Sequence, residues 1–127
     1  MIKIKEVIKI GVLPIMLVVI HLLLVYKTNI YAQFPLLDIP MHIFGGLTIA
    51  ISFMLFTKTF KIKLNKKIDG ILLILCFVVF CSIFIELAEF SLFGAFYFGL
   101  STLDVIQDLF FALVGGSLLI CLTNKNL

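Results

Sequence analysis

The sequence has no arginine and no tryptophan, only three cysteines and three prolines, and charged side chains at 13% of its 127 residues. Without arginine, and with no tract of interleaved basic and aromatic residues outside the apolar runs, nucleic-acid binding has no footprint. Cys76, Cys81 and Cys121 are odd in number and sit inside apolar runs, so neither a disulfide framework nor a metal-binding spacing is present, and they read as packed thiols. So few charges cannot clothe a water-soluble domain of this size.

What the chain has instead is apolar length. Hydrophobic side chains make up 63% and the mean hydropathy is +1.28. A membrane-crossing helix needs about 20 mostly apolar residues. Four such runs, at about 10–26, 38–57, 68–90 and 102–123, predict a single all-α integral membrane domain over 1–127, a four-helix polytopic bundle. The first run follows a basic head (Lys3, Lys5, Lys9) as a signal peptide would, but it exceeds a usual h-region and three further runs follow, so it is expected to remain as a helix. Pro14 lies in its early turns and is expected to tilt or kink it.

The ten lysines are distributed unevenly: nine fall in the head, in the segment KTFKIKLNKK (58–67) and near the C-terminal end, and Lys27 alone lies on the opposite side of a four-span topology. Lysine-rich short loops stay in the cytoplasm, so both termini are expected there, with a secondary attraction of the central loop to anionic headgroups. Glu6 and Asp69 neighbour these lysines and read as solvated. The uncharged aromatic stretch SLFGAFYFGLS (91–101) suits the membrane interface.

Against that topology the acids gather on the other side. Asp38 and His42 open the second span, Glu86 and Glu89 close the third, and Asp104 and Asp108 open the fourth. Spacings of three and four residues put each pair on one helix face. Those faces continue through Gly45 and Gly46, Ser82, Ala112, Gly115 and Gly116, the small residues that mark helix contacts in membranes, so the polar groups should point into the bundle.

Part of this has a plain structural reading. Asp38 could be an N-cap, and Ser101 with Asp104 has capping-box spacing. Asp108 lies a turn deeper. Glu86 and Glu89 approach a helix C-terminus, where the dipole disfavours anions. Ionisable groups inside a membrane mark function by default, and six converging at one depth predict a pocket.

Histidine with carboxylates from three helices can hold a divalent metal ion; His42, Glu86 and Asp108 are the expected ligands, with Glu89 or Asp104 as general base on a bound water in an enzymatic version. A proton-sharing carboxylate network fits the same residues. His21, alone on an apolar helix, reads as an interhelical hydrogen-bonding residue. A weak echo, each of Asp38 and Asp108 followed by a glycine pair, fits two hairpins related by an axis along the membrane normal.

On Asp38 and His42 opening span two, Glu86 closing span three, and Asp104 and Asp108 ahead of Gly115 and Gly116, the sequence resembles the VanZ-like family of small bacterial membrane proteins. The resemblance covers about the last 90 residues. It departs where Glu89 and Phe90 follow Glu86, since members often carry glutamine and arginine there. The resemblance implies a bacterial plasma membrane, a role in the cell envelope and a link to glycopeptide-type antibiotic resistance. The expected partners are the bilayer and a cation or a polar lipid or cell-wall headgroup. A proton or ion transporter component, or a non-catalytic accessory subunit, is the alternative.

Overall fold

The computed structural model describes residues 4–28, 30–62, 67–93 and 102–123, all helix, turn or coil with no strand among them. Helix α1 spans Ile4–Thr28, a short α2 Ile30–Gln33, then a 3-10 turn Pro35–Leu37 leads into α3 (Asp38–Thr59), followed by α4 (Lys67–Phe93) and α5 (Thr102–Thr123). Four of these, α1, α3, α4 and α5, are long and apolar enough to cross a bilayer, with mean hydropathies of 2.6, 1.8, 2.9 and 2.1 over their best windows. The stretch 94–101, including Ser101 and its expected cap, lies outside the described residues.

The burial pattern is inverted relative to a soluble protein. His21, Ser52, Ser82, Glu86, Glu89 and Asp108 are buried, while Phe80, Phe84, Phe110 and Leu122 face outward. Such an arrangement is stable when the surrounding solvent is hydrocarbon, where exposed apolar side chains cost nothing and polar ones must find partners inside. Two of the cysteines expected to pack, Cys76 and Cys121, are exposed on this apolar exterior; only Cys81 is partly covered. Nothing polar competes for them there, so a small weakly polar thiol is tolerated facing lipid.

Local chemistry sets the helix ends. Leu37 N–H donates to the Phe34 carbonyl (3.0 Å), and Leu37, the residue at the N-cap, is already in a helical conformation (φ −71°, ψ −18°). The chain thus enters α3 pre-wound, and Asp38 is the first helical residue instead of the N-cap expected from sequence. Its carboxylate is left to reach one turn onward, to His42. Pro40 fits here because the first-turn N–H groups lack helical partners anyway. At the other end Ile62 N–H reaches back to the Thr57 carbonyl (2.9 Å) and Lys61 N–H to Lys58 (3.3 Å), with Lys61 at φ 51°. That is a Schellman closure with lysine in the left-handed position usually given to glycine. α1 is continuous through Pro14, whose missing N–H leaves the Ile10 carbonyl without its helical donor.

α3 lies at the centre of the bundle, touching α1, α4 and most extensively α5. The α3–α5 crossing is so close that a Cβ added at Gly46 would overlap the Ala112 backbone, and one added at Gly115 would overlap the backbone of Ile43 and Leu47. With lipid outside, dispersion contact of this kind supplies much of what holds helices together. The glycine pairs do not repeat each other's contacts: Gly46 meets α5 while Gly45 faces Leu17 of α1, whereas Gly115 meets α3 and Gly116 faces Val78 of α4. The echo in sequence is therefore one residue out of phase in space.

Below the crossing, Ile49, Ala50, Ile74, Val78, Leu119 and Ile120 fill an apolar core. Above it the interior turns polar.

Candidate cation site at one end of the bundle

Because α3 and α5 start at the same end and α4 finishes there, their polar faces meet. His42 is the junction. Its Nε2 lies 3.4 Å from Asp38 Oδ1, a turn earlier on α3, and 3.3 Å from Asp108 Oδ1 on α5; its Nδ1 is 4.0 Å from Glu86 Oε1 on α4. Beside it, His21 of α1 and Glu89 of α4 face each other at 3.1 Å, both buried, and the two imidazoles stand edge to face with centroids 6.1 Å apart. The His21–Glu89 approach is close but off the hydrogen-bond axis. Asp104 sits half-buried at the rim, within electrostatic range of Asp38 and His42.

All six expected pocket residues thus fall at one end, but they divide into two groups. Asp38, His42 and Asp108 present three ligand atoms within 4.8 Å of one another. Glu86 approaches the other face of the His42 ring, and Glu89 is committed to His21. The group within 4.8 Å thus contains Asp38, where the sequence reading of a metal site named Glu86 beside His42 and Asp108. His21, which the sequence marked only as an interhelical contact, lines the same cavity. Its depth, about four residues from the outer end of the first span, already matches that of the acids in the sequence.

The cavity holds about 50 Å³ and is walled by Leu17, His21, Met41, His42, Ser82, Glu86 and Glu89 among others. At roughly 10–15 Å³ of such volume per water it has room for a few waters, with polar partners to bind them.

The chemistry of the group follows from its charge. Glu86, Glu89 and Asp108 are buried, Glu86 has Glu89, Asp108 and Asp38 as like-charged neighbours, and the sequence places no lysine between 28 and 57 or between 68 and 124. Buried carboxylates gathered in this way must share protons or hold a cation. Nε2 of His42 can direct a single N–H at one of its two carboxylate neighbours. A metal ion, by contrast, could engage all three atoms at once, and the two separations from His42 Nε2, 3.4 and 3.3 Å, are close to the edge of a tetrahedron with metal–ligand bonds of about 2.0–2.1 Å.

Inward-facing acids, an apolar exterior and four crossing helices define an integral membrane protein with a polar chamber near one membrane surface. The chain belongs to the family described as "Predicted membrane protein (DUF2238)", whose model matches residues 3–126. No curated protein matches the chain, and no solved structure does.

Proposed function

We propose that the protein is a multi-pass protein of the bacterial plasma membrane that binds a divalent cation through Asp38, His42 and Asp108 at the outward-facing end of the bundle. The observation that carries this reading is the convergence of the three ligand atoms within 4.8 Å. An imidazole with two carboxylates suits a first-row ion such as Zn²⁺ or Mn²⁺ better than Mg²⁺ or Ca²⁺, which favour all-oxygen shells. Glu86 lies 4.0 Å from Nδ1, on the side where a carboxylate commonly orients a metal-bound histidine and within a small movement of hydrogen-bond distance. The outward direction rests on the lysines, which lie at the opposite end.

The VanZ-like resemblance gives this site its cell-envelope setting, with a polar lipid or wall headgroup as the molecule that meets the cation and glycopeptide-type resistance as the phenotype. The apolar core under the chamber, with Ile49, Ile74, Val78, Leu119 and Ile120, favours a binding site over a conducting path through one chain.

Elemental analysis of the purified protein beside an Asp38→Asn, Asp108→Asn double variant tests the reading. We expect about one divalent ion per chain in the wild type and none in the variant. Two folded proteins that are both metal-free would reject it.

A further inference from the structure

A divalent ion on Asp38, His42 and Asp108 leaves two buried carboxylates without a counter-charge. Glu86 and Glu89 line a separate space, the chamber of about 50 Å³ between α1, α3 and α4, to which neither Asp38 nor Asp108 contributes. No lysine is among its lining residues.

Glu86 is the side chain that asks for an occupant. It is 9% exposed, it lines the chamber, and its approach to His42 Nδ1, at 4.0 Å, is too long for a hydrogen bond. No donor is bonded to it among the described residues. A carboxylate taken this far out of water needs donors or a cation to hold it there. Glu89 lies three residues on, on the same face of α4, and is equally covered. Oε1 of each glutamate is the oxygen turned to a histidine, His42 for one and His21 for the other, which leaves Oε2 of each for a ligand.

The lining narrows what that ligand is. His21, Glu86 and Glu89 do not gather three ligand atoms within 4.8 Å of one another; among the described residues Asp38, His42 and Asp108 do. A hard metal ion also asks for about six or more oxygen ligands, whereas Leu17, Met41 and Ile85 of the same lining offer carbon. An ammonium group makes looser demands. With N···O bonds of about 2.8 Å it bridges acceptors about 4.6 Å apart, which suits two carboxylates whose Cβ atoms stand about 5–6 Å apart as i,i+3 neighbours. At roughly 10–15 Å³ for each water-sized group, the chamber takes roughly three to five non-hydrogen atoms.

We infer that the chamber binds a primary ammonium group on a short carbon stem, its N–H donors held by Glu86 and Glu89 and its methylenes lying against Leu17, Met41 and Ile85. Because the two sites share only His42, this assignment goes beyond the cation reading and does not rest on it. A free alkylamine and the ethanolamine end of a lipid headgroup present the same chemistry.

The probe is ethylammonium, followed by saturation-transfer difference NMR on the purified protein in a non-ionic detergent, at neutral pH and fixed ionic strength. We expect transfer to the ethyl protons, competition by methylammonium, and none by tetramethylammonium, which carries the charge but no N–H donor. Glu86→Gln and Glu89→Gln should each weaken binding roughly tenfold, the loss of a charge-assisted bond, while keeping the cooperative thermal unfolding of the wild type. Phosphatidylethanolamine separates the two sources: displacement of the probe by the lipid assigns the headgroup, and displacement by free ethanolamine but not by the lipid assigns the free amine. Absence of transfer in folded wild type overturns the inference, as does equal competition by tetramethylammonium or phosphatidylcholine, since charge or acyl chains alone then fill the space. That series uses wild-type protein alone and decides the matter even where a variant fails to fold. A Glu89→Gln protein that unfolds like the wild type and binds ethylammonium as tightly overturns it too. Elemental analysis of the same preparations reports the divalent site separately: metal-free protein that binds ethylammonium rejects only the cation reading, and metal-loaded protein that ignores ethylammonium rejects only this one.

Discussion

His42 separates two kinds of carboxylate by which ring nitrogen they face. Asp38 and Asp108 share Nε2, and Glu86 lies toward Nδ1. Removing a ligand and removing the group behind the histidine should therefore differ in kind. Asp108→Asn is expected to lose the metal outright, whereas Glu86→Gln should still load at high concentration with affinity weakened about ten- to a hundredfold; competition against a chromogenic chelator measures both. If Glu86→Gln binds as tightly as the wild type, the carboxylate is not orienting the ring. The neighbouring pair makes a different demand. His21→Leu leaves Glu89 buried and deprived of its imidazole neighbour, and should lower stability by about 2 kcal/mol in detergent, while the His21→Leu, Glu89→Leu double variant should recover most of that loss. A double variant no better than the single would mean that His21 contributes through packing.

Among the elements, α3 and α5 carry the structure through the glycines where they cross. A methyl group at Gly46 has nowhere to go, because what it meets is the Ala112 backbone; at Gly45 it meets only the Leu17 Cδ2 atom at an ordinary 3.7 Å. Gly46→Ala should thus force the helices apart, at about 3 kcal/mol, the upper end of overpacking costs. Gly45→Ala should be neutral or stabilising by up to about 1 kcal/mol, from helix propensity. Thermal unfolding of the two variants side by side decides it: equal behaviour would show that the crossing is not the tight contact. The contrast also marks how far the sequence could be read. The helices were legible because apolar length alone dictates them, and the sharing of one end by Asp38, Glu86 and Asp108 follows from short connections. Which of two adjacent glycines faces the neighbouring helix depends on helix rotation to within one residue, or 100°. No apolar run specifies that rotation, since these helices are hydrophobic nearly all round. The same lack of a sharp polar face hid the approach of Asp108 on α5 to His42 Nε2 at 3.3 Å, closer than Glu86 on α4 comes to Nδ1 at 4.0 Å.

For the whole molecule the decisive property is polarity along the membrane normal: lysines at one end, carboxylates at the other. Lys5, Lys9, Lys58 and Lys61 are exposed at the end remote from the chamber, and cytoplasmic retention of such residues is the basis of the proposed orientation. Single cysteines in a background with Cys76, Cys81 and Cys121 replaced by serine test this without disturbing the interior. Leu36 is 77% exposed in the turn before α3, and Lys61 is exposed in the turn after it, so the two report opposite ends of one helix. A membrane-impermeant maleimide should label Leu36→Cys in intact cells and Lys61→Cys only after permeabilisation. The reverse pattern would turn the chamber toward the cytosol, where an envelope lipid headgroup on the outer leaflet could not reach His42. The cation site could survive that result, because its geometry does not depend on which side it faces, but the envelope role could not.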